Sequence, residues 1–148
     1  MARRRSAAPP PPTTVVLDSE ALSSVASPGE RGVARRRASA ILTLALASGS
    51  RVVVPAPVLA EAGRSRSRAS AIDAVIAKLA VIPTDRRIAQ RAGLLLGRLG
   101  RGSEAAVDAF VAATAADHRP AVVITGDPGD LGRLCTHLPG VHVQPLSN

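Results

Sequence analysis

Five short runs rich in Val and Ile, TTVVLD, RVVV, AVIP, AVVIT and VHVQ, recur along the chain, each separated from the next by a longer stretch with helical signals. Runs of four to six residues are too short for buried helices, and their β-branched content favours strands. Consecutive strands joined through helices pair in parallel rather than as hairpins. The pattern predicts an α/β fold, a layered sandwich around a largely parallel central sheet of about five strands. Sheets of this kind gather their sites outside the carboxyl ends of the strands. The residues that follow each run are therefore the first candidates for chemistry.

The helices between the runs are placed by spacing and by caps. Residues Gly29 to about Ser48 have apolar Val33, Ala34, Ile41, Leu42, Ala45 and Leu46 at helical intervals, and Gly49 is expected to end that helix. Pro55 and Pro57 lead into a short helix over Val58–Gly63. Arg64–Arg68 is expected to be a basic loop and Ser70–Ala80 a helix. Thr84 and Asp85 should cap a helix to Leu99, with Ile88, Ala92, Leu95, Leu96 and Leu99 inward and Arg86, Arg87, Arg91 and Arg98 outward. Ser103 should cap the helix EAAVDAFVAATAADH, and Asp127 to Leu138 should form the last one.

The 148 residues suit one domain, assigned to 14–146, preceded by an Arg- and Pro-rich leader at 1–13 whose PPPP run favours an extended, disordered backbone. No run approaches the roughly 20 apolar residues of a membrane span, so a soluble, cytoplasmic protein with no membrane partner is expected. Cys135 is alone, and His118, His137 and His142 match no zinc spacing. With 19 Lys and Arg against 11 Asp and Glu, the net charge is +8, and the arginines flank islands of acid. Any one arginine suits a solvated helix face, but a basic rim suits a polyanion. Phe110 is the only aromatic residue, so a nucleic acid would be held mainly by its phosphates.

Four acids stand out from the few available. Asp18 follows VVL at a strand end, where it serves either as a helix cap or as a site residue. Asp108 has Ala105, Val111 and Ala112 as helical neighbours, and a carboxylate in such apolar company costs several kcal/mol unless a cation or donor compensates it. Glu104, one turn earlier, is explained by the helix dipole alone. Glu61 in VLAEAGR could simply pair with Arg64 or Arg68. Asp127 in ITGDPGDL reads as a cap with Pro128 at the first helical position and Asp130 near the third, although a capping carboxylate keeps a free oxygen.

The order and setting of these acids resemble the PIN domain family, and more closely its VapC-type toxins of bacterial toxin-antitoxin pairs, over about Thr14 to Leu146. The specific part is DAFVAATA around Asp108 in tandem with TGDPGDL around Asp127; VVLDSEAL around Asp18 and VLAEAGR around Glu61 are weaker. The resemblance implies a PIN-like three-layer sandwich in which Asp18, Glu61, Asp108 and Asp127 form an acidic catalytic site for Mg²⁺ or Mn²⁺, with Asp130 capping the helix behind it. Two carboxylates 5 Å apart repel by about 3 kcal/mol at an effective dielectric near 20, so such a cluster calls for a hard cation. The implied activity is metal-dependent hydrolysis of RNA phosphodiesters, by a homodimer neutralised by a small antitoxin protein. Two other readings remain open: a haloacid-dehalogenase-like phosphatase, with Asp18 as nucleophile, and a noncatalytic RNA- or protein-binding module on the same fold. Lys78, the only lysine, falls inside an expected helix, which disfavours the phosphatase.

Overall fold

The computed structural model describes residues 13–27, 32–64 and 66–147. Its elements run β1 (Thr14–Leu17), α1 (Ser19–Val25), α2 (Val33–Ala47), β2 (Val52–Pro55), α3 (Ala56–Ala62), α4 (Arg66–Ile76), β3 (Ala80–Ile82), α5 (Arg86–Leu99), a 3-10 turn (Ser103–Ala105), α6 (Ala106–Asp117), β4 (Ala121–Thr125), α7 (Pro128–Cys135) and β5 (Val141–Pro145). The expected leader, Thr13 apart, and the expected start of the second helix at Gly29 lie outside the described residues.

The five strands form one parallel sheet in the order β3-β2-β1-β4-β5. In β2 all four residues are buried, and Val16, Val53, Val54 and Val123 are fully enclosed. Unbroken apolar strands of this kind belong to a parallel sheet covered on both faces. Helix α1 packs with α2, α3 and α4, while α5, α6 and α7 pack together and α6 lies against β1, β2 and β4. Edge strand β5 returns to alternation, with His142 and Gln144 exposed. Each fully buried Val contributes roughly 1.5–3 kcal/mol relative to exposure, so the central strands anchor the fold.

The chain order carries functional information. From β1 the chain steps outward to β2 and β3, then returns across the sheet to β4 on the other side of β1. Adjacent strands whose connections leave in opposite directions open a crevice at their carboxyl ends, the usual ligand position in open α/β sheets. Here that switch lies between β1 and β4, whose register pairs Leu17 with Ile124.

Local chemistry explains most helix ends. The Asp85 carboxylate accepts from the Ile88 N–H at 2.9 Å and starts α5. Gly49 follows the end of α2 with φ +77°, and Gly100 ends α5 with φ +59°, both in the left-handed region that favours glycine. The Asp18 side chain accepts from the Ala21 N–H at 2.7 Å and starts α1, as its reading as a helix cap requires. Three expectations need correction. The basic loop is shorter than expected, since Arg66 and Arg68 already belong to α4. That helix ends at Ile76, and Ala80 is in β3, because pairing with β2 outweighs the helix propensity of AKLA. Ser103 makes no capping bond; it opens the 3-10 turn, and α6 begins three residues later.

Candidate active site

The acids of the sequence motifs meet around the β1/β4 switch. The Asp18 N–H donates to the Ile124 carbonyl at 3.1 Å, so β1 ends beside β4 and delivers the Asp18 side chain between them. That side chain is buried at 5 % exposure, caps α1, and is also hydrogen-bonded by Thr125 and the Gly126 backbone. Burial pushes its carboxyl above the ordinary range, and the neighbouring Glu20 charge adds to the effect, while the three hydrogen bonds oppose it.

Asp108 sits in the first turn of α6, where the helix dipole favours an anion. Residues beyond it, Ala109 and Val111 to Ala116, are buried as expected, but Asp108 is only half-buried because the helix begins later than its apolar composition implied. Its pKa is pushed up to about 6, first by desolvation and then by the charges of Asp18, Glu61, Asp127 and Asp130. Asp108 is therefore the point on which the acids of β1, α3 and the β4–α7 junction converge.

Asp127 caps α7, accepting from the Gly129 N–H at 3.2 Å while its own N–H donates to the Thr125 hydroxyl at 2.9 Å. Asp130 does not cap that helix. It pairs with Arg101 at 2.9 Å and more loosely with Arg133 at 3.5 Å, because the α5–α6 connection brings Arg101 over the first turn of α7. Glu104 accepts from the Gly102 N–H and pairs with Arg101 at 3.4 Å, which accounts for it structurally. Glu61 is exposed on α3, where it lines a cavity of about 500 Å³ with Ser19, Glu20, Ser23, Arg64 and Arg68.

Glu20, which the sequence motifs do not single out, is drawn into the site by the structure. A side chain at Gly126 would overlap the Glu20 carboxylate and lie 2.8 Å from its Cβ, so Glu20 lies directly over the backbone that leads to Asp127. The available signal was DSEAL itself, in which a helix starting at Ser19 sets Glu20 next to the strand end.

Three helix N-termini, of α1, α6 and α7, thus present carboxylates at one sheet edge. Among the described residues no group of three or more acidic, His or Cys side chains is drawn close enough to enclose a metal ion. The donors are all carboxylate oxygens, the class that Mg²⁺ and Mn²⁺ prefer, and their mutual repulsion is of the kind that a hard cation relieves. The residues present fit such a cation in chemistry and in charge.

The PIN domain profile matches residues 15–135. No curated protein sequence matches significantly. Among solved structures, VapBC2 from Rickettsia felis, bound to a DNA fragment from its promoter, superposes with a TM-score of 0.66 at 18% identity, covering 90% of this chain and 98% of that one. VapBC-1 from nontypeable Haemophilus influenzae gives 0.63 at 18% identity, covering 92% and 100%. FitAcB from Neisseria gonorrhoeae gives 0.62 at 21% identity, covering 87% and 95%. At these identities the likeness concerns the fold, a five-stranded parallel sheet between helical layers. The family match spans most of the chain, and the protein belongs to the PIN domain family.

Proposed function

We propose that the chain is a metal-dependent endoribonuclease of VapC type, the toxin of a toxin-antitoxin pair. One observation carries the reading: acids from separate segments, Asp18, Glu61, Asp108 and Asp127, meet at the topological switch of the sheet. Asp18, Asp108 and Asp127, with Glu61, would hold Mg²⁺ or Mn²⁺. When bound, the cation neutralises these carboxylates, lowers the pKa of a coordinated water and stabilises charge growing on a phosphate.

The chain's own residues do the positioning. Backbone N–H groups of Ala21 and Gly129 orient Asp18 and Asp127, each bonding one oxygen of its carboxylate. Asp108 is held by α6 against the core. The cavity of about 500 Å³ beside Glu61 has the size of a nucleotide-scale site, and Arg64 and Arg68 give its outer wall a positive charge for an anionic substrate.

The phosphatase reading loses ground on geometry. Lys78 lies between α4 and β3, lining an apolar cavity with Val25, Leu42, Leu46, Ala74, Val75 and Leu79, and it is absent from the lining of the cavity beside Glu61. For the partner, support comes from the similar solved structures, which include a toxin-antitoxin complex from Klebsiella pneumoniae. A homodimer belongs to the same reading.

The direct test incubates the purified protein with total cellular RNA and Mg²⁺ or Mn²⁺, with EDTA as control. Cleavage is expected with the metal and not with EDTA, and Asp108→Asn should fall to background while remaining folded. Cleavage that persists in EDTA, or a fully active Asp108→Asn, would overturn the mechanism.

A further inference from the structure

Beyond the acidic cleft, the positive charge of the α5–α7 side has no role in the chemistry above. A cavity of about 240 Å³ between these helices and the β4 entry is lined by Arg91, Arg98, Arg119 and His137 over a floor that includes Leu95 and Leu138. A smaller cavity adjoins it, shares Leu95, Arg98 and His137, and adds Arg133. No carboxylate lines either one. Among the described residues neither Arg91 nor Arg98 has an acidic partner, Arg119 donates to the Pro139 carbonyl, and Arg133 makes only the loose 3.5 Å contact to Asp130. Three guanidinium groups that share a cavity with no carboxylate in its lining, with a fourth that has only a loose acidic contact, repel one another, an arrangement that a polyanion relieves.

The cationic lining runs from the amino ends of β4 and β5 toward the candidate active site along α7. Asp130, whose charge acts on Asp108, is bound by Arg101 and touched by Arg133, and Arg133 stands at the near end of the cationic lining. Over Pro128–Cys135 helix α7 advances about 12 Å at 1.5 Å per residue, a reach of a few nucleotides.

We infer that this groove is a binding track for the phosphate backbone of single-stranded RNA flanking the cut, resting on the ribonuclease reading for the identity of its ligand. Phosphates carry the recognition, since Phe110 is the only aromatic residue and is not among the residues that line either cavity. A single strand can follow a narrow groove toward the acids, and the contact of Arg133 with Asp130 beside the acidic site favours RNA over an acidic peptide.

The test reads binding without cleavage. In the full-length Asp108→Asn background with EDTA, a fluorescein-labelled 20-nucleotide RNA is titrated by anisotropy over a salt series. Adding Arg91→Ala and Arg98→Ala should weaken binding and reduce the slope of log K against log salt by about 1.4, at roughly 0.7 per lost phosphate contact. The control adds Arg36→Ala and Arg51→Ala, exposed arginines elsewhere on the molecule, and should leave the slope nearly unchanged. Circular dichroism checks that each variant is folded. An unchanged slope in the groove variant, an equal loss in the control, no RNA binding by the background protein, or capture of polyglutamate with RNA ignored would each overturn the track. None of these outcomes depends on whether the unmutated protein cleaves RNA in Mg²⁺, so the two readings fail separately.

Discussion

Glu20 and Gly126 show how a single missing Cβ shapes the acidic edge. Because a methyl at 126 would meet Glu20 as far in as its Cβ, Gly126→Ala should displace that side chain and cost about 1–3 kcal/mol, in the range of overpacking. Glu20 is exposed, so Glu20→Ala alone should cost little, and in urea denaturation the double variant should recover only part of the loss, because alanine removes the carboxylate but keeps the Cβ that a methyl at 126 would meet. A double variant no more stable than Gly126→Ala would remove the contact from the explanation. Asp108 gives a pH signature. Its carboxyl is raised from 3.8 to about 6, so between those values the folded protein keeps a proton that the unfolded chain has released. Stability from this group therefore falls as pH rises through that window, and the penalty is complete above about 6. In EDTA at pH 8, Asp108→Asn should be more stable than the parent by about 1–2 kcal/mol, discounted for partial exposure, with the gap closing near pH 4. Mg²⁺ should raise the melting temperature of the parent and leave that of the variant unchanged. A constant gap across pH would contradict the assignment.

At the scale of elements, helix starts decide where charges point. The Asp85 bond to the Ile88 N–H starts α5, so Asp85→Ala should cost about 1 kcal/mol, or roughly 2–4 °C in a protein of this size. Ser103→Ala should fall within about 0.5 kcal/mol, because Ser103 makes no capping bond. Comparable melting shifts for the two variants would contradict this account of the caps. The same three-residue delay before α6 places Asp108 in a first turn, open to the site, instead of in a fully buried helical middle. The other arginines of α5 have varied roles: Arg87 pairs with Asp117 at 3.1 Å, while Arg91 and Arg98 line the groove.

For the whole molecule, a net charge of +8 and exposed Leu44, Leu46 and Leu94 describe a surface suited to partners. Light scattering at high concentration should report a dimer under the proposed function; monomer alone would count against it. Expression together with the neighbouring reading frame should copurify a small protein that suppresses RNA cleavage. No helix among the described residues is long and apolar enough to cross a membrane.

Much of this was legible because it is local. Val-rich runs mark the strands, Asp85 and Gly49 mark helix ends, and the acids that follow VVL and AVVIT lie at strand ends, all set by interactions within a few residues of chain. Other features depend on segments far apart in sequence. The return of the chain from β3 to β4 creates the switch that sets Asp18 beside Thr125. The pairing of Arg101 with Asp130 spans 29 residues, and it takes Asp130 away from the capping role its position implied. The packing of α1 against the strand end lays Glu20 over Gly126, and burial of Asp108, together with the charges of four carboxylates around it, shifts its protonation. Periodicity and capping reveal which residues can be buried or can start a helix; only the packed fold, in which distance no longer follows sequence separation, decides which charges share one site.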